Sequence, residues 1–157
     1  MIGIIFSIIA GAAMSFQGVF NTRLEEKIGT WETNVLVQGI AFLLTLIIVL
    51  FFGKGDFKEL ASANKLYLLG GVLGAVITFT VMKGIGDLGP TYAISTILVS
   101  QLLTAGIIDA FGLFDSQKLS FGFSKVIGIA IMIVGIIIFK WKSWFIIVWF
   151  KGDTNGF

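Results

Sequence analysis

Read from its first residue, the chain alternates long apolar runs with brief polar interruptions, and the length of each run limits what it can be. A helix needs about 20 apolar residues to cross the hydrocarbon core of a bilayer. Five runs approach or reach that length. The first extends from Ile2 to about Asn21 and is ended by Arg23, Glu25, Glu26 and Lys27. The second, about Thr33 to Phe52, is ended by Gly53, Lys54, Gly55 and Asp56. The third, about Leu66 to Met82, is short and rich in glycine. The fourth, about Thr91 to Phe114, follows Gly89 and Pro90. Proline suits a helix start because its missing N–H would be unpaired there in any case. The fifth, about Phe121 to Phe139, is closed by Lys140 and Lys142. The pattern predicts an all-α membrane protein, with a five-span domain over residues 1–139 and a tail over 140–157.

The tail has its own chemistry. Trp141, Trp144 and Trp149 fall among Lys140, Lys142 and Lys151, and Trp beside Lys favours the headgroup layer. An interfacial helix is expected there, since the tail is too short for a sixth span. At the other end, Ala10, Ala12 and Ala13 resemble a signal-peptide cleavage site, but no basic n-region precedes the apolar run. Met1 to Phe20 is therefore read as a permanent span. Connections of about a dozen residues at most leave no extramembrane domain for an active site.

Composition agrees with this reading and removes several functions. Of 157 residues, 57% are hydrophobic and only 13% charged, and the mean hydropathy is +1.01. A soluble domain would be about a quarter charged. With no Cys and no His, the chain cannot build a disulfide scaffold, a Cys/His zinc site, a thiol nucleophile or a His-based triad. No cofactor or metal is expected, and neither is catalysis. The net charge of +2 comes from Lys and Arg scattered at segment ends, so nucleic-acid binding has no footprint.

Within the spans, small residues recur at helical spacing. Gly3, Ser7 and Gly11 continue into Gly18 on the first, Gly70 and Gly74 mark the third, and Gly128 and Gly135 lie one heptad apart on the fifth. Small residues let helix backbones approach closely, which matters where no hydrophobic drive pulls apolar helices together. These are expected packing faces.

Amides inside a membrane carry donors and acceptors that hydrocarbon cannot satisfy. Gln17 and Asn21 lie one turn apart, Gln38 is early in the second span, and Gln101 is midway along the fourth. Ser100, Gln101 and Thr104 share a broad face, with Thr96 at its edge. Two roles suit such groups: interhelical glue, or the lining of a cavity that admits a polar solute. Asp109 is the carboxylate inside an otherwise apolar run, and intramembrane acids mark proton relays, ion sites or paired charges. It is the coupling-ion candidate, although it lies near enough to its span end to snorkel. Lys83 is either its partner or a boundary marker.

The segment from Gly11 through Gln17 and Asn21 to Leu24, followed by Gly29, resembles the opening signature of the YdcZ family of small bacterial inner-membrane proteins. Gly70, Gly71 and Gly74 on the third span, and Gln101 through Asp109 and Gly112 to Phe114 on the fourth, resemble later parts of that signature. The resemblance covers about residues 2 to 139. It implies one half of an EamA-type carrier of the drug/metabolite transporter superfamily, in which two five-span repeats lie in opposite orientations. It also implies a multi-pass protein of the bacterial cytoplasmic (inner) membrane. Small multidrug resistance transporters, more distant relatives, place a glutamate within the first span; this first span has no acid, so their proton antiport does not carry over.

Five spans put the chain ends on opposite sides, so two copies must insert oppositely to imitate an inverted ten-span repeat. The basic residues that set orientation allow this. Lys54, Lys58, Lys65, Lys118 and Lys125 make five on one side, while Arg23, Lys27, Lys83, Lys140, Lys142 and Lys151 make six on the other. The expected protein is an antiparallel, dual-topology homodimer embedded in lipid. It would move a small solute by alternating access around Gln17, Asn21 and Gln101, with Ser100 and Thr104 beside them. The alternative is a non-transporting structural or accessory subunit packed against a partner protein.

Overall fold

The computed structural model describes the backbone of residues 1–119 and 122–152, with side chains as far as residue 141. Among the described residues there are five long helices, each apolar enough over a sufficient length to cross a membrane: α1 (Ile2–Ile28), α2 (Thr30–Phe52), α3 (Leu69–Leu88), α4 (Pro90–Phe111) and α5 (Phe123–Gly152). They fall into two compact units, Met1–Pro90 and Thr91–Phe157.

In the first unit α1, α2 and α3 pack on one another in all three pairings. The buried residues include Gly18, Asn21, Thr22, Thr33, Asn34, Thr78, Met82 and Ile85. At Gly18 α1 packs tightly on α3: a Cβ added there would fall 2.6 Å from Ile85 Cδ1 and 3.1 Å from Val81 Cγ1. Gly74 has ordinary contact with the Gln38 amide, 3.5 Å from its would-be Cβ, whereas Gly3, Gly11 and Gly70 have nothing within 4 Å. Ser7 is exposed on the same open stretch of α1.

The helix ends differ from the hydropathy boundaries for local reasons. Charge ends the apolar run near Asn21, but the helical ladder continues through Arg23–Lys27, aided by the Arg23–Glu26 pair at 2.9 Å, and stops at Gly29. Gly29 alone joins α1 to α2, with φ 98 and ψ 161. Gly89 alone joins α3 to α4 in nearly the same conformation, φ 78 and ψ 158. That region of backbone space is essentially closed to residues with a side chain. Between α2 and α3 the polar connection folds into two 3-10 turns, Phe57–Ala61 and Lys65–Leu68. Each is capped by an oxygen two residues upstream of its amide, Asp56 accepting from Lys58 N at 2.8 Å and Asn64 from Leu66 N at 3.0 Å.

In the second unit α4 and α5 form an antiparallel hairpin. Tyr92, early in α4, lies under the Lys140 ammonium late in α5, 4.2 Å from ring centroid to Nζ. Asp109, near the end of α4, shares a cavity with Lys125 near the start of α5. The fourth helix ends at Phe111, earlier than the apolar run to Phe114 suggests, because Gly112 takes a left-handed conformation (φ 64) and breaks the ladder. Leu119 N donates to Asp109 O at 2.9 Å and folds the connection back. The α5 backbone is helical through Gly152, and Trp141 is exposed. The remaining aromatic features of the expected interfacial helix, Trp144 and Trp149, lie outside the described side chains. Phe121, the expected start of the fifth span, also lies outside the described residues.

Candidate functional site

Hydroxyl groups in these helices mostly satisfy themselves. Ser7, Thr22, Thr80, Ser95 and Thr104 each donate to the carbonyl four residues earlier, at 2.7 to 2.9 Å. A hydroxyl satisfied in this way is tolerated in hydrocarbon. Side-chain amides cannot do the same so readily, and their partners separate the structural ones from the rest.

One side of α2 is bonded to α3. Thr30, Asn34 and Gln38 recur every four residues, so they form a single stripe. Thr30 Oγ1 accepts from Lys83 Nζ at 2.9 Å. Asn34 Nδ2 donates to Ala75 O at 2.9 Å, and Gln38 Nε2 donates to Thr78 Oγ1 at 3.4 Å. Gln38 is therefore interhelical glue. Asn34 and Thr30 do the same work and were not evident as a motif, although their four-residue spacing from Gln38 was the available signal. Above this stripe Trp31 stacks on Phe79 with centroids 5.0 Å apart.

Lys83 also donates to the Glu25 carboxylate of α1. It is thus neither a bare boundary marker nor in need of Asp109 as its counterion. The pairing brings Lys83 to the end of the unit that carries Arg23 and Lys27. Thr22 Oγ1 donates to Gly18 O at 2.8 Å and lies 3.5 Å from Met82 O, close to the α1–α3 approach.

Asn21 behaves differently. It is only 7% exposed, yet among the described residues its amide makes no hydrogen bond. Gln17, one turn earlier on α1, is exposed and likewise unbonded. Thr33, fully buried on α2, has a hydroxyl with no partner among the described residues. A fully enclosed hydroxyl without a partner, as in Thr33, costs about 1–3 kcal/mol, whereas the amides of Gln17 and Asn21 are not fully enclosed and stay open to a further hydrogen bond.

The second unit carries the other candidates. Ser100, Gln101 and Thr104 are exposed on α4, and the Gln101 amide has no hydrogen bond among the described residues. Asp109 is half-buried and lines a cavity of about 330 Å³ between α4 and α5, together with Lys125 and Gly128. Gly128 has nothing within 4 Å of a would-be Cβ, and neither has Gly135. Gln17 and Asn21 thus share one turn of the first unit, while Ser100, Gln101, Thr104 and Asp109 share α4 in the second.

Five apolar helices with amides held inside their spans define a multi-pass α-helical membrane protein. Residues 2–138 match the family described as "Putative inner membrane exporter, YdcZ". The chain belongs to that family, and it is a multi-pass inner-membrane protein of the transporter class. The Trp-rich tail lies beyond the matched residues. No curated protein and no solved structure matches the chain.

Proposed function

We propose that the chain moves a small polar solute across the inner membrane as an antiparallel homodimer of two oppositely inserted copies. Alternating access arises by rocking of helices about a central site. Gln17, Asn21 and Gln101 contact the solute, with Ser100 and Thr104 beside them, and Asp109 serves as the site of any coupled ion. The observation that carries this reading is Asn21, 7% exposed as a residue, whose amide makes no hydrogen bond among the described residues, while Asn34 and Gln38 of the same unit are both bonded. An amide kept only for packing would be bonded like those two. The near-even split of Lys and Arg supports dual insertion, and the open small-residue stretch at Gly3, Ser7 and Gly11 supplies a face for a second copy. Gly70, Gly128 and Gly135 are further candidates for such contact. The tail is assigned to the headgroup layer.

Two measurements test the proposal. Solute flux in proteoliposomes, screened over amino acids, amines, nucleosides and cations, should be abolished by Asn21→Ala. Absence of any flux, with a stable co-purifying protein, would favour the accessory-subunit alternative. Single-Cys variants of this Cys-free chain at Ser62 and Asp87 should each label from both sides of the membrane. Labelling of each from one side only would sink the dual-topology dimer.

A further inference from the structure

The cavity between α4 and α5 is amphipathic in a particular sense. Asp109 is the third residue from the end of α4 and Lys125 the third residue of α5. At about 1.5 Å per residue both lie within one turn of a helix end, from which the side chains of a span-long helix can reach the headgroup layer. The walls running inward from that pair are apolar, formed by Leu102, Gly106, Ile129 and Met132. Opposite charges thus stand at one end of a hydrocarbon-lined space of about 330 Å³, near the lower bound of small-molecule sites at about 300–1,000 Å³.

We infer that this cavity binds a zwitterionic phospholipid with a primary ammonium, of the phosphatidylethanolamine type. The ammonium lies at Asp109, the phosphate at Lys125, and one acyl chain follows the apolar wall. A carboxylate only accepts hydrogen bonds and an ammonium only donates them, so the two residues match the two ends of such a headgroup and mismatch a purely anionic one. The Asp109 carboxylate has no hydrogen-bond partner among the described residues. Lys125 takes part in another interaction, but an ammonium has three donors and serves more than one acceptor. The tail is what selects a lipid over a free zwitterion, because a solute without one would leave the apolar wall empty and keep both its charges near water. Gly128 keeps the space open: a Cβ added there meets nothing within 4 Å, so a larger side chain grows into the cavity that Gly128 lines. The inference does not rest on the transport reading.

The test uses the full chain, purified in detergent and delipidated, with bound lipid counted by native mass spectrometry. Phosphatidylethanolamine, phosphatidylglycerol, phosphatidylcholine and free phosphoethanolamine are compared at equal concentration. The expected result is preferential retention of phosphatidylethanolamine, reduced about tenfold by Asp109→Asn, as for loss of one charge-assisted hydrogen bond. Gly128→Leu should reduce retention of every diacyl lipid by a similar factor, and circular dichroism of both variants verifies that they are folded. If Gly128→Leu does not fold, the headgroup comparison and Asp109→Asn decide alone. Equal retention of phosphatidylglycerol, binding of phosphoethanolamine as tight as that of the lipid, or unchanged retention in Asp109→Asn would each overturn the inference. So would a shift of Gly128→Leu from dimer to monomer with lipid retention intact, since the cavity would then belong to a second copy.

Discussion

Lys83 of α3 donates at once to Glu25 of α1 and to Thr30 of α2, the latter at 2.9 Å, so one ammonium ties together all three helices of the first unit. Its side chain is 50% exposed, whereas that of Glu25 is 13% exposed. The costs of losing either partner are therefore unequal. Lys83→Met should lower stability by about 1 kcal/mol, the upper end for solvent-screened pairs, because a sheltered carboxylate is left uncompensated. Glu25→Gln in the same background should recover part of that loss. A double-mutant cycle followed by unfolding in detergent measures the coupling, and strict additivity would mean that the pair contributes nothing.

Asn34 and Asn21 make a matched pair of tests. Asn34→Ala removes the bond to Ala75 O and should cost about 0.5–1.5 kcal/mol. Asn21→Ala removes no hydrogen bond, so its effect on unfolding should be smaller while its effect on flux is larger. Thermal unfolding and flux measured on both variants separate the two. A larger stability loss for Asn21→Ala would make Asn21 a structural residue.

Gly18 faces α3 across a tight contact. Gly18→Ala asks the flexible end of Ile85 to swing clear and the stiffer Val81 to give by a few tenths of an ångström, and a loss below about 1 kcal/mol is expected. Gly18→Leu must separate the helices and should cost about 1–3 kcal/mol as overpacking. Crosslinking between Cys placed at Thr22 and Gly86 should fall in the Leu variant and persist in the Ala variant.

Ion coupling, if the cycle uses it, is assigned to Asp109, the carboxylate within an apolar run. Flux measured with and without an imposed proton or sodium gradient should lose its gradient dependence in Asp109→Asn. Pure loss of rate with the gradient dependence intact would remove Asp109 from coupling.

The number of spans was legible because an apolar run of bilayer length has few other uses, and the amides stood out because hydrocarbon makes polar groups costly. What hydropathy could not give was partnership. Gln38 and Asn21 look alike in sequence, yet one is bonded to Thr78 and the other makes no hydrogen bond among the described residues, a difference set by how each helix is rotated against α3. Lys83 and its partners are 53 and 58 residues apart, beyond the reach of any local pattern. Helix ends were misplaced at Asn21 and Phe114 for a related reason. Backbone hydrogen bonding is indifferent to charge and stops at glycine geometry instead.

The joint at Gly29 has a mechanical consequence. A loop of several residues absorbs the travel of one helix before its neighbour feels it, whereas a single residue offers two soft torsions and no slack. Displacement of α1 along its axis must therefore be handed to α2 almost undiminished, because Gly29 is the whole of the connection between them.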